Sequence, residues 1–201
     1  MGGDAVTVQF SGGKDSTLLA LLMAREFRRV DLLTFTQPLV VGLENIQTNV
    51  TKLRHLFGEG KFRLSIVDIG ELLREIYGGN HWRDLRRYRT YAANNFCGAC
   101  RLAMIGHTII YCLEKGIEHA RDGSNATGFD LSQQSWAVER IQKFYSDFGI
   151  DYQAPIYSVS RADLELFKLG VHGNPPMLLF RSQPRCRGGG AFHNIYLRSY
   201  Y

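Results

Sequence analysis

Residues 9–17 run Gln9-Phe10-Ser11-Gly12-Gly13-Lys14-Asp15-Ser16-Thr17, and their reading decides the fold. Upstream, Val6 to Phe10 reads as a short strand; downstream, Leu18, Leu22 and Phe27 mark a strongly apolar helix. A strand that turns through two glycines straight into a helix sets the positive end of the helix dipole at the strand's carboxyl tip. Gly12 and Gly13 allow a tight turn and bring backbone N–H groups close to an anion. Lys14 adds a full charge, and the hydroxyls of Ser11, Ser16 and Thr17 can donate to phosphate oxygens. A Walker loop would place four residues between its first glycine and Gly-Lys-Ser/Thr. Here Lys14 is followed by Asp15, so this is a different phosphate loop. The competing reading is a glycine turn that caps a helix and does nothing more.

Outward from this stretch, strands and helices alternate. Val30 to Phe35 reads as a strand, and Ile46, Val50, Leu53 and Leu56 mark an amphipathic helix. Phe62 to Ile69 is a third strand, followed by a short helix from Glu71 to Tyr77. Residues 78–96 turn polar, basic and aromatic, as in an insertion or an active-site loop. A helix from about Ala99 to Lys115 ends at Gly116 as its C-cap. Ile117 to Arg121 is a strand leading into Asp122-Gly123-Ser124-Asn125. A helix from about Ser132 to Phe148 closes at Gly149, and a last short helix covers Ala162 to Leu169. This pattern predicts an α/β fold, an open parallel sheet with helices on both faces. Ligands bind such sheets beyond the strands' carboxyl ends, where the Ser11 and Asp122 loops would both lie.

The stretch Ser11 to Ser16 resembles the signature of the PP-loop ATP pyrophosphatases, the adenine nucleotide alpha hydrolase-like superfamily. Asp122-Gly123-Ser124-Asn125 is similar to the second nucleotide loop of several members, NAD synthetase among them. Ser160 to Leu164, continuing through Leu169-Gly170-Val171, is similar to the helix that follows their sheet. The resemblance implies a Rossmann-like, five-stranded parallel sheet within an ATP-binding domain over 1–171. The basic and aromatic insertion would occupy about 78–96, and a loop-rich tail over 172–201 would carry Cys186. It also implies cleavage of ATP between the alpha and beta phosphates. AMP passes to a substrate oxygen, and a nitrogen or sulfur nucleophile then displaces it. On this resemblance Ser11, Gly12, Gly13, Lys14, Asp15, Ser16, Thr17, Asp122, Gly123 and Ser124 bind ATP and Mg²⁺. Lys14 neutralises phosphate charge and Asp15 helps place the metal.

Cys97-Gly98-Ala99-Cys100 opens the predicted helix, where the dipole lowers thiol pKa values. Alone the pattern suits metal binding, redox chemistry or chance. Cys112 shares a helical face with Ile105 and Ile109 and reads as a packed core thiol. With Cys186 downstream, Cys97 and Cys100 resemble the tRNA thiolation branch of the superfamily, in which three thiolates hold a 4Fe–4S cluster and leave one iron to carry sulfur. Cys100 and Cys186 are then candidates for the sulfur chemistry itself. Zinc with His193 or Cys112 as fourth ligand, and a persulfide relay without metal, are the alternatives. An ammonia-using ligase and a nucleotide-binding module without turnover also stay open, as do the superfamily's small-molecule sulfur-insertion enzymes.

Trp82, Arg83, Arg86, Arg87, Tyr88 and Arg89 crowd basic and aromatic side chains together, suiting an exposed base or a nucleotide phosphate. Arg83, Arg86 and Arg87 are the candidate substrate contacts. The alternative is a solvated helical face with Trp82, Leu85 and Tyr88 packing inward. Across the chain 24 Lys and Arg face 19 Asp and Glu, a net charge of +5, which favours acidic partners. The contiguous apolar runs are short of a membrane span, and Asp4 stands where a secretory signal would be basic. The expected setting is cytoplasmic, with no membrane. Expected partners are ATP, a small-molecule or RNA acceptor and a sulfur donor, with a homodimer as a candidate assembly.

Overall fold

The computed structural model describes residues 4–88, 92–126, 133–162, 165–166 and 185–186. The core is a five-stranded parallel sheet built from β1 (Ala5–Gln9), β2 (Arg29–Thr36), β4 (Phe62–Asp68), β5 (His119–Arg121) and β6 (Asp151–Gln153), in the order β4-β2-β1-β5-β6. Helices α1 (Lys14–Glu26), α2 (Glu44–Phe57), α3 (Gly70–Tyr88), α4 (Ala92–Lys115) and α5 (Ser135–Ser146) flank it, and β3 (Val40–Val41) pairs antiparallel with β7 (Arg185–Cys186).

The two faces of β1 differ because its side chains alternate. Val6, Val8 and Phe10 point into a dry cluster with Leu18 and Leu19 of α1 and Ile46, Val50 and Leu53 of α2. On the opposite face Thr7 meets Cys112 of α4, while Gln9 reaches Thr108 of α4 and Tyr145 of α5. The α1 face is therefore an apolar layer, and the α4 face carries polar contacts toward the carboxyl edge. Cys112 is fully buried with its Sγ 3.3 Å from Thr7 Oγ1, the packed thiol its helical spacing predicts. Burial pushes this thiol up to about 11, so it stays protonated and enclosed. In native protein at pH 8, mass-mapped alkylation should modify Cys97 and Cys100 well before Cys112. Equal labelling of all three would contradict this packing.

The sequence expectation for residues 78–96 needs correction. Of these, residues 78–88 and 92–96 are helical: α3 continues to Tyr88, and α4 begins at Ala92 rather than near Ala99. Gly78 and Gly79 argue locally against helix, at about 1 kcal/mol each. Apolar packing of Leu73, Ile76 and Tyr77 with Phe96, Ala99 and Ala103 offsets that cost. Cys97 thus sits in the second turn of α4, beyond the strongest part of the dipole. Three short strands, β3, β6 and β7, also escaped the sequence reading, because two or three residues carry too little periodicity to register. The helix expected over Ala162 to Leu169 falls mostly outside the described residues, as does nearly all of the tail.

By length and composition alone, Asn95–Lys115 is long and apolar enough to cross a membrane. One face of it packs on the sheet, while Leu102, Ile110 and Leu113 are exposed. Ile105, Ile109 and Cys112 pack on the sheet side, and Arg101 reaches the ends of β1 and β5.

The path of the chain fixes how α3 and α4 are placed. α3 leaves the carboxyl end of β4, and the later part of α4 descends beside β1 and β2, with Tyr111 bonded to Asp31. Leu72 lies against Gly106 and Tyr77 against Phe96, so the helices run antiparallel. They form a hairpin that projects past the carboxyl edge of the sheet.

Candidate nucleotide site

The loop from Ser11 to Thr17 lies where β1 ends, and its geometry explains its glycines. Gly12 has φ +72°, a backbone that L side chains rarely adopt, and a Cβ there would stand 2.9 Å from Ile46 Cδ1. Its carbonyl accepts from Asn49 Nδ2 at 3.2 Å, which pins the turn to α2. Gly13 is the N-cap of α1, and no side chain caps the helix start. The first-turn N–H groups are thus offered at the loop, as an anion site requires. Ser11 and Ser16 hydroxyls lie 3.1 Å apart, and Ser16 donates to the Gly13 carbonyl at 3.2 Å. Thr17 Oγ1 is buried and has no hydrogen-bond partner, an uncompensated polar atom directly beneath the loop. Lys14 and Asp15 are half-buried, and among the described residues none forms an ion pair with Lys14.

The second loop closes on the first. A Cβ on Gly123 would lie 3.4 Å from the Ser16 backbone nitrogen, so the loops following β1 and β5 meet backbone to backbone. Asp122, however, faces inward. It is 2% exposed and pairs with Arg101. It also accepts from the Tyr152 hydroxyl at 2.7 Å and the Ser124 N–H at 2.9 Å. Burial alone would push this carboxyl up; the Arg101 guanidinium, the Tyr152 hydroxyl and the Ser124 amide overcome that and hold it below the usual carboxylate range. Burial also opposes the Arg101 charge, and Asp122 more than compensates, so Arg101 stays cationic. Arg101 further donates to Gln9 Oε1 at 2.6 Å and to Ser124 Oγ at 3.4 Å. Gln9 donates in turn to Thr108 and Tyr145, and the Tyr145 ring stacks on Tyr152 at 4.8 Å. Asp122 is thus the anchor of the second loop, and its carboxylate is committed to the protein.

Arg101, Gln9, Tyr152 and Asn49 went unnoticed in the sequence. Arg101 did leave a signal: a single arginine inside an apolar helix must have a buried partner. It directly follows Cys100, so the network that shapes the second loop also fixes the base of the hairpin bearing the cysteines.

Cys97 and Cys100 are half-buried, one helical turn apart. The β3–β7 pairing sets the Cys186 backbone opposite Val40, just past the carboxyl end of β2. The side chain of Cys186 and all of His193 lie outside the described residues. Among the described residues no three His, Cys, Asp or Glu side chains converge on a metal position. Arg83, Arg86 and Arg87 are exposed on the outer half of α3. Trp82 is 73% exposed, which corrects the alternative that packed it inward. Leu85 is half-buried, and the side chain of Tyr88 lies outside the description.

Strand order, the glycine loop at the end of β1 and the second loop at the end of β5 agree with the five-stranded parallel α/β fold that the resemblance to the PP-loop proteins implies. Solved structures of that shape align with this chain. A "predicted subunit of tRNA methyltransferase" from Methanocaldococcus jannaschii DSM matches with TM-score 0.51 and 15% identity, over 84% of this chain and 75% of that one. A 4-thiouridine synthetase, solved as an RNA complex with bound ATP, matches with TM-score 0.54 and 19% identity, over 84% of this chain and 41% of that one. NMN synthetase from Francisella tularensis matches with TM-score 0.53 and 15% identity, over 87% and 63%. This chain therefore spans less than two thirds of the two synthetases. At such identities the likeness establishes the fold. No protein-family model and no curated protein sequence matches the chain.

Proposed function

We propose that this chain is an ATP-using PP-loop enzyme that adenylates a substrate oxygen, releases pyrophosphate and delivers sulfur to the activated carbon. The observation that carries it is the uncapped, glycine-turned start of α1 with Lys14 above it and the unpartnered Thr17 hydroxyl below. First-turn amides, the Lys14 ammonium and Thr17 would bind the departing pyrophosphate, stabilising charge as it develops. Asp15 is the loop carboxylate suited to Mg²⁺. The 4-thiouridine synthetase of this fold, solved with RNA and bound ATP, supports ATP as a substrate and an RNA acceptor.

The donor set for sulfur delivery is Cys97, Cys100 and Cys186. Two thiols one turn apart on α4 and a third on a strand at the same carboxyl edge suit a cluster bound by three thiolates. When bound, a 4Fe–4S cluster would supply an iron with an open position for sulfur.

Anaerobically purified protein tests this directly, by assay of iron, zinc and acid-labile sulfide together with pyrophosphate release from ATP in the presence of an RNA acceptor and either sulfide or ammonia. About four irons per chain, absent from Cys97→Ala, with sulfide-dependent pyrophosphate release, is the expected result. Stoichiometric zinc with ammonia-dependent release would establish a nitrogen ligase instead. ATP binding without turnover under any condition would leave a nucleotide-binding module.

A further inference from the structure

β4 is the outermost strand on its side of the sheet, and its outer edge has no partner among the described residues. Strand geometry determines which backbone groups that leaves open. The Val30 N–H donates to the Lys61 carbonyl and the Ile69 N–H to the Thr36 carbonyl, so odd-numbered residues from Lys61 to Ile69 turn their backbone toward β2. Phe62, Leu64, Ile66 and Asp68 therefore turn theirs outward. Arg54 confirms the direction, since its guanidinium reaches from α2 to the Phe62 carbonyl at 3.1 Å. Beyond it, no described group bonds the amides and carbonyls of Leu64 and Ile66.

Open sheet edges are commonly shortened, bulged or broken by proline. β4 has none of these features: it is 7 residues long, pairs with β2 in unbroken register and contains no proline. It also holds an apolar side chain in the open, Ile66 at 46% exposure. Charges along this edge are divided by sign. Arg54 and the exposed Arg63 stand at its amino end, and the exposed Asp68 and Glu71 at its carboxyl end. Glu59 lies 4.0 Å from Arg54, whereas Arg63, Asp68 and Glu71 are in no ion pair among the described residues. A parallel copy of the same edge would meet like charges; an antiparallel copy meets opposite ones.

We propose that this edge pairs with β4 of a second copy of the chain, antiparallel about a two-fold axis at Ser65, so that the two sheets join into one. The outward residues set the register. Hydrogen-bonded antiparallel pairs need both backbones facing each other, which puts Leu64 opposite Ile66 of the second copy and Ile66 opposite its Leu64. Each pair exchanges two bonds, about four in all, and makes an apolar contact on the α2 face. Ser65, a small residue, meets its counterpart at the non-hydrogen-bonded position, where the strands come closest. The same register brings Asp68 to Phe62 of the second copy, beside its Arg54. Centring on Leu64 or Ile66 would carry Asp68 away from that arginine. The two carboxyl edges then point in opposite directions, so both nucleotide loops stay open. A single strand pair buries little area, which makes the dimer weak and concentration-dependent. This inference stands apart from the proposed reaction.

Analytical ultracentrifugation of the full chain under reducing conditions, from about 1 to 200 µM, tests it. The expected result is a reversible shift from one chain to two. Ile66→Lys should weaken the dimer by about tenfold or more and leave the melting temperature of the monomer unchanged, since that side chain is already half in solvent. Asp68→Asn, which keeps an acceptor for the Gly70 amide, should weaken it by roughly twofold to fivefold. Ser65→Cys should give a disulfide-linked dimer on mild oxidation, because the facing Cα atoms stand about 4.5 Å apart. Arg63→Cys, which faces Val67 of the second copy, should not. Mass mapping of the link to the substituted position separates it from the native cysteines. A chain that stays monomeric throughout, a dimer indifferent to Ile66→Lys, or equal crosslinking of the two cysteine variants would overturn the proposal. So would a monomer whose Leu64 and Ile66 amides resist hydrogen exchange, since the edge would then be covered from within the chain.

Discussion

Asp122→Ala should destabilise the protein by about 3–5 kcal/mol, the cost of leaving a buried charge without its partner. For a chain of this size that is a fall in melting temperature of roughly 6–20 °C. The loss is large because Arg101 is mostly enclosed, at 15% side-chain exposure, and remains cationic. Its other partners, Gln9 Oε1 and Ser124 Oγ, are neutral. The Tyr152 hydroxyl and the Ser124 amide would lose their acceptor in the same step. Chemical denaturation of the single variants and of Asp122→Ala/Arg101→Met measures it, and the double variant should recover most of the loss. A change under about 1 kcal/mol in Asp122→Ala would mean the pair is solvated. The pH dependence has a definite sign. The folded-state pKa of Asp122 is depressed, so its stabilisation is complete above the unfolded carboxylate pKa of about 3.9 and disappears as pH falls through the lower folded value. Asp122→Asn should accordingly show a shallower loss of stability below about pH 4.

Lys14→Ala should reduce pyrophosphate release by about 10²–10³-fold while leaving the melting temperature unchanged. Removing one preorganised donor from a site of developing charge has that scale. Lys14 is half-buried and, among the described residues, in no ion pair, so the fold does not depend on it. Lys14→Arg should restore only part of the rate, because a planar guanidinium replaces a compact ammonium in a loop set by Gly12 and Asn49. Steady-state pyrophosphate assays decide it, and a rate within threefold of wild type would remove Lys14 from the phosphate site.

The positions that the sequence declared were those whose signal is local. Two glycines between a strand and a helix mark the tight turn at the end of β1, since φ > 0 and an uncapped helix start are properties of a few consecutive residues. The parallel sheet was legible through alternating strand and helix periodicities, and Cys112 through its spacing on an apolar face. Gly116 and Gly149 take positive φ at the ends of α4 and α5, as helix-ending glycines do.

What only the tertiary structure decided depends on contacts between distant residues. The sequence offered Asp122 as a ligand for nucleotide or metal. The fold encloses it with Arg101 and Tyr152, because a carboxylate buried without partners would be too costly. Residues 78–96 read as a loop because the stretch is polar, basic and aromatic and opens on Gly78 and Gly79, which lower helix propensity. Residues 78–88 and 92–96 are helical because packing of Tyr77 on Phe96 and Leu73 near Ala103 outweighs that local preference. The exposed Trp82 and the outer edge of β4 are equally invisible in one dimension, since exposure and strand order belong to the assembled fold. Chain-local geometry wrote the phosphate loop into the sequence, whereas burial, which exists only once the chain is folded, arranged the charges around it.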